Sequence, residues 1–387
     1  MKWKAFISVI LIATLTSTPF ASAAPKSIAS VEISKVAAVI DHEGAVITTQ
    51  GVTLYSNEEK RVLVTSLDFA GSEKWALVLE DHTDQIAMAA TSDKDGNIWL
   101  AGLISASSET ASAPTSAVNV DDVIVETVTP VRADLNTLTL WKISPEGALA
   151  ATFTDSATSP SLITAISHSS TGLWILGDRG SGSILVNATL NGEFSKAVTI
   201  GTAKSSFTSI YRNSDGSAQI YGSSSESLGG KALVGRRDGI LAKVNKSGSL
   251  TNVVRSSASS ATRNWSSATS TYFLIGEVKG GGKSESAFTK FNSSFAPVWT
   301  LRLPSQTSIA AATGPNGSHY ALFNSTSAIQ RITGWRPTIP TSLVLRFDAK
   351  GVITQALRAN QIKTFRAMAH VKGIGLVIVS ASGIFKG

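Results

Sequence analysis

The 387-residue sequence has no cysteine, few charged residues (16%) and, beyond its first residues, no long uncharged apolar run. The absence of cysteine excludes a disulfide framework and a lipobox for lipid attachment, so stability must come from packing. A bilayer crossing needs about 20 apolar residues, and no stretch combines that length with that hydrophobicity; membrane insertion is not expected. Hydrolase and phosphate motifs are also missing. There is no Gly-x-Ser-x-Gly elbow, and Gly280-Gly281-Gly282-Lys283-Ser284 lacks the first glycine of a phosphate loop. The five histidines, His42, His82, His168, His319 and His370, lie apart. His42-Glu43 begins a His-Glu-x-x-His pattern, but Val46 stands where the second histidine belongs. Neither a cofactor nor a metal is expected.

The N-terminus is set apart from the rest. Lys2 and Lys4 precede an uncharged apolar run over residues 5–15, and Ala21-Ser22-Ala23 supplies small residues where a signal peptidase reads. Residues 1–23 therefore read as a cleaved signal peptide, and 24–387 as one exported domain. Leaving out Lys2 and Lys4 takes the 34 basic residues to 32 against 27 acidic, a net charge of +5. That modest, scattered charge offers no electrostatic footprint for nucleic acid.

The mature sequence repeats itself roughly every 45 to 60 residues, as six full units and one partial unit. Each unit opens with two short apolar strands around a tight turn, such as Asp41-His42-Glu43-Gly44, Asp93-Lys94-Asp95-Gly96, Asp215-Gly216 or Asn316-Gly317. Asp-Gly and Asn-Gly supply the positive φ angles of a hairpin. A second hairpin follows, whose turn reads Asp68-Phe69-Ala70-Gly71, Ser144-Pro145-Glu146-Gly147, Asn245-Lys246-Ser247-Gly248 or Asp348-Ala349-Lys350-Gly351. Just before that turn stands a cation in four units, Lys142, Lys243, Lys290 and Arg346.

These units resemble the bacterial β-propeller repeat of secreted proteins. Asp238-Gly239-Ile240-Leu241-Ala242-Lys243 and Ala287-Phe288-Thr289-Lys290-Phe291 carry the likeness, with Trp75 and Trp299 in the final strands; the unit over 163–200 lacks both the Lys before its second turn and the Trp of its final strand. The resemblance implies an all-β fold, a β-propeller of seven four-stranded blades, with six as the alternative. In this arrangement the C-terminal segment supplies two strands of the last blade, and residues 28–33 add an outer strand that closes the ring and removes its open edges.

Function is expected on one face of the disc. The turns inside each hairpin are short, whereas the connections between hairpins are long: a low-complexity insertion at about 105–137, then 223–237, 279–286 and 325–341. Loops held by a rigid scaffold are the usual seat of binding. Lys231, Arg236 and Arg237 would meet an anionic group there, and Trp335 flanked by Arg331 and Arg336 would stack on a sugar or aromatic ring; burial of Trp335 against its own blade is the competing expectation. Asp121, Asp122 and Glu126 are weak cation-site candidates without the close ligand spacing of a calcium loop. The remaining tryptophans read as core. The expected function is non-enzymatic: an exported, monomeric scaffold recognising a glycan, a cell-wall polymer or a protein. The alternative, a polysaccharide lyase or glycosidase at the central channel, would need convergent carboxylates from among Asp121, Asp122, Glu126, Glu226, Asp238 and Glu285.

Overall fold

The computed structural model describes residues 26–27, 29–31, 42–58, 60–79, 84–105 and 134–387. The expected signal peptide and the candidates Asp121, Asp122 and Glu126 lie outside them. Among the described residues no helix is long and apolar enough to cross a membrane.

The chain is all β. Short strands β1 (Lys26–Ser27) and β2 (Ala29–Val31) precede a first sheet of β3 (Gly44–Ile47), β4 (Val52–Glu58), β5 (Arg61–Leu67) and β6 (Glu73–Leu79). A second sheet holds β7 (Gln85–Ser92), β8 (Ile98–Ser105), β9 (Leu135–Ile143) and β10 (Leu149–Asp155); a third holds β11 (Leu162–Ser169), β12 (Gly172–Asp178), β13 (Ser183–Ala188) and β14 (Val198–Ile200). The fourth comprises β15 (Ser205–Arg212), β16 (Ala218–Ser224), β17 (Asp238–Val244) and β18 (Leu250–Ser256). Next come β19 (Thr262–Ala268), β20 (Phe273–Gly280), β21 (Lys283–Phe291), β22 (Pro297–Thr313), β23 (His319–Ser325), β24 (Thr341–Phe347) and β25 (Ile353–Arg358) in a single sheet, with β1 parallel to β25 at its edge. The chain ends in β26 (Phe365–Val371), β27 (Gly375–Ser380) and β28 (Gly383–Lys386), and β2 pairs antiparallel with β28 as their fourth strand.

The molecule is thus a β-propeller with five four-stranded blades, not the expected seven or six. The strands of the two remaining repeat units are fused in one eight-stranded sheet. The cause is β22, which pairs with β21 through Pro304 and with β23 from Ser305 onward, so an outer strand continues into the next inner strand without a break. The last blade is closed by an N-terminal strand, as expected, but its C-terminal part supplies three strands rather than two. In the first sheet the expected turn at Asp41-His42-Glu43-Gly44 is displaced: β3 already begins at Gly44, and the hairpin closes where the Thr48 amide donates to the Gly51 carbonyl at 2.9 Å.

Adjacent blades grip one another through recurring contacts. An outer-strand side chain lies over the turn glycine of the next repeat unit: Trp75 over Gly147, Phe153 over Gly192, Val198 over Gly248 and Trp299 over Gly351. The indoles of Trp75 and Trp299 also donate to the Pro145 and Ala349 carbonyls at 2.8 and 3.1 Å. Each turn is shaped by its first side chain, as where Asp68 Oδ1 accepts from the Ala70 and Ser72 amides and Asp348 Oδ1 from those of Lys350 and Val352. The cation before the turn has a structural partner in every unit that carries it: Lys142 lies over Trp99, Lys243 over Phe295, Lys290 over Tyr272 and Arg346 over Tyr320, at 5.2 to 5.6 Å from the ring centroids. Trp99 and Trp174 are fully buried, as expected of core residues.

Candidate functional site

Because the strands alternate in direction, the turns within hairpins lie on one side of the disc and the connections between hairpins and between sheets on the other. Two connections on that second side are long and fully described, 225–237 and 326–340. The segment over 279–286, expected to be a long loop, is instead a tight hairpin in which β20 and β21 are joined by Gly281 and Gly282, both at positive φ.

The connection 225–237 is fastened down from both sides. Asp238, fully buried at the start of β17, accepts from the Val234 and Gly235 amides and forms an ion pair with Arg255 at 3.1 Å. The Arg255 guanidinium donates further to the Lys231 and Glu226 carbonyls, so a single buried cation organises the loop. The loop's end is stitched to the neighbouring sheet, where the Arg236 amide donates to the Ala261 carbonyl and the Arg263 amide to the Arg237 carbonyl, both at 2.8 Å. Gly239 completes the local logic of the Asp-Gly pair: a Cβ there would stand 2.7 Å from Nε1 of Trp265 on β19, so only glycine admits the indole.

Between β18 and the β19–β22 part of the fused sheet this seam opens into a cavity of about 290 Å³. Arg255, Arg263 and Arg302 line its polar part, and Trp265, Phe291 and Phe295 its apolar part. Arg302 pairs with Glu285 at 2.8 Å. Arg263 donates to Ser256 Oγ at 2.9 Å, while its Nε has no partner. Burial, and then repulsion from Arg302, lowers the Arg263 pKa from its ordinary value, against the attraction of Asp238. A second depression of about 320 Å³ adjoins the first and shares Asn264 and Glu277 with it; Arg237 and Lys279 line it. Arg237 is steadied there by Ser223 Oγ at 2.7 Å and Ser225 Oγ at 3.3 Å.

Of the residues singled out from sequence, Arg237 belongs to this seam, the Lys231 carbonyl accepts from its central arginine, and Lys231 and Arg236 stand exposed beside it. The second group sits on another sheet, in the connection between β23 and β24. Trp335 offers a ligand nothing: it is 2% exposed in the core of the fused sheet, its Nε1 donates to Ser325 Oγ at 3.0 Å, and Arg358 covers its ring at 5.6 Å. Its neighbours Arg331 and Arg336 are half-buried and exposed.

The candidate carboxylates among the described residues are engaged one by one. Asp238 and Glu285 hold arginines. Glu226 accepts from the Thr202 amide and hydroxyl and from Ser205 Oγ; although burial pushes its carboxyl up, these hydrogen bonds bring it below the ordinary value. Among the described residues no group of His, Asp and Glu is arranged to hold a metal ion. A third depression of about 350 Å³ is lined mostly from β7, β11 and β15, by uncharged groups such as Thr91, Ser167 and Thr208, with His168.

No family model and no curated protein matches the chain. Solved structures do. A streptogramin B lyase structure aligns over 89% of this chain and 92% of its own, at 13% identity and a TM-score of 0.53. The WD40 domain of Toxoplasma gondii coronin aligns over 93% and 83%, at 11% identity and a TM-score of 0.51. At such identities the likeness is one of fold: the chain has the architecture of the β-propellers, a class that hosts many unrelated functions.

Proposed function

We propose that this protein is an exported, non-catalytic recognition propeller that binds an anion-bearing glycan or cell-wall polymer on the face of its long connections, at the seam between the fourth and the fused sheets. The observation that carries this reading is the arrangement around Arg255. A buried ion pair fixes the 225–237 loop, Arg237 lines the depression that adjoins the arginine-lined cavity, and Lys231 and Arg236 stand exposed on the same loop. Preorganised cations of this kind lower the ordering cost of binding an anionic group. Val234 and Ile339, 60% and 69% exposed in the two long connections, add apolar contact area on the same face. Among the described residues, recognition is favoured over hydrolysis because the candidate carboxylates Asp238, Glu285 and Glu226 are each committed to a structural partner, whereas a glycosidase needs a pair of carboxylates about 5 to 10 Å apart with one free to transfer a proton.

Export rests on the N-terminal pattern of Lys2, Lys4, the apolar run and Ala21-Ser22-Ala23. The test is an array of acidic and neutral glycans and wall polymers, probed with the wild type and with the double variant Arg236→Gln, Arg237→Gln. Selective binding to acidic polymers that weakens in the variant supports the reading. Binding that ignores polymer charge, or that the variant leaves unchanged, overturns it.

A further inference from the structure

The cavity between β18 and the β19–β22 strands has a definite charge balance. Arg255 is neutralised by Asp238 at 3.1 Å, Arg302 by Glu285 at 2.8 Å, and Glu277 pairs with Lys279 at 2.9 Å. Arg263 alone of the lining cations has only a neutral side-chain partner, Ser256. Among the described residues Arg263 therefore has no salt bridge of its own: Asp238, already paired with Arg255, attracts it, and Arg302 stands close enough to repel it. A monoanion near both guanidiniums would remove that repulsion and gain charge-assisted hydrogen bonds.

The rest of the lining sets the remaining chemistry. At about 290 Å³ the space is at the small end of ligand sites and suits a single ring. The aromatic part, Trp265, Phe291 and Phe295, offers an apolar wall, and Ser256, Asn264, Thr289 and Thr300 surround it with hydroxyl and amide groups. Thr289 and Thr300 bond each other at 3.1 Å and Ser256 accepts from Arg263, and a flat aromatic acid would bring no hydroxyl to add to these contacts. A six-membered ring with a carboxylate at one end, hydroxyls around its rim and one C–H face uses all three kinds of wall.

We infer that this cavity receives one uronic acid residue of an acidic glycan, its carboxylate toward Arg263 and Arg302 and a C–H face of the sugar against the aromatic wall. The inference rests on the recognition reading above and adds to it the identity of the sugar and its seat. It is tested by calorimetric titration of the full mature chain at low salt with methyl glucuronide, methyl glucoside, benzoate and inorganic phosphate. Two variants accompany the wild type. Arg263→Gln removes the cation that has no salt bridge of its own; Thr300→Trp, at an exposed position on β22, fills the cavity without disturbing the core.

The expected result is binding of the glucuronide in preference to the other three probes. Binding should fall about tenfold or more in Arg263→Gln, the scale of one hydrogen bond to a charged group, and be abolished in Thr300→Trp. Equal binding of the neutral glucoside, tighter binding of benzoate or phosphate, or full binding by Thr300→Trp would overturn the inference. Acidic polymers retained by Thr300→Trp but lost with Arg236 and Arg237 would sink the uronate seat and leave the recognition reading standing. Failure of every acidic polymer to bind the wild type would remove the recognition reading itself.

Discussion

Asp238 and Arg255, 17 positions apart on adjacent strands, form an ion pair whose side chains are 0% and 6% exposed, and the whole 225–237 connection hangs from it. A buried pair adds little net stability compared with an apolar replacement, but breaking it by removing one partner strands a charge, at a cost of about 3 to 5 kcal/mol. Asp238→Asn is therefore expected to lower the unfolding free energy by that amount, read from the shift in urea midpoint, and to make the loop a preferred cleavage site. Unfolding curves and limited proteolysis with fragment mass analysis check both.

The contact of Trp75 with Gly147 yields a contrast between two glycines. Gly147 has φ of +90°, and a Cβ there would lie 2.5 Å from the Trp75 ring; Gly180 has φ of +79° with nothing within 4 Å of such an atom. Gly180→Ala meets only the backbone preference, about 1 kcal/mol. Gly147→Ala must also displace an indole that binds the adjacent turn, and should cost at least twice as much. Thermal denaturation of the two variants side by side measures the difference.

His319 adds a pH dependence. It is buried, stacked on Phe273 at 4.7 Å between ring centroids, and neither ring nitrogen has a partner. Burial, then repulsion from Lys290, pushes its pKa down to about 4 from 6.5. Between those values the unfolded chain binds a proton that the folded one does not, so stability rises with pH across the window. The loss on acidification from pH 6.5 to 4 is on the order of 3 kcal/mol. His319→Leu should lack this component, visible as a smaller difference between urea midpoints at pH 7 and pH 4.5.

Trp335 tests structure rather than binding. Trp335→Ala is expected to cost about 3 to 5 kcal/mol as an emptied core site, and any ligand affinity lost with it should be lost in proportion to the unfolded fraction. Arg336→Gln, exposed beside it, should leave the melting temperature unchanged. Differential scanning calorimetry of both variants decides.

The sequence spoke most clearly where a residue type has one physical use. Asp95-Gly96, Asp215-Gly216 and Asn316-Gly317 close hairpins because those turns need positive φ, and all three do. The blade count was obscured by β22. Pro304 looks like a break, yet it sits where the strand leaves β21 and no ladder donor is required. Another regularity passed unnoticed: Gly102, Gly222 and Gly276 each lie where a Cβ would be about 2 Å from a carbonyl of the adjacent inner strand, beside a bulge in that strand.

The site was legible only at its rim. Arg237 belonged to a visible cluster, but Arg255, Arg263 and Arg302 come from three strands in two sheets and converge only on folding. Their one sequence signal was charge inside otherwise apolar segments, as in Val253-Val254-Arg255 and Leu301-Arg302-Leu303. Trp335 left stacking and burial both open, because an aromatic ring between arginines has the same appearance whether it faces solvent or the core; the ring is buried.

The most direct test of the central claim is the affinity of the mature protein for polygalacturonate, measured by calorimetry at low and at physiological salt, for the wild type and for Arg237→Gln, Arg263→Gln. The account predicts wild-type binding that weakens with salt and drops at least tenfold in the double variant. Binding unaffected by the two substitutions, or no binding to any acidic polymer, would contradict it.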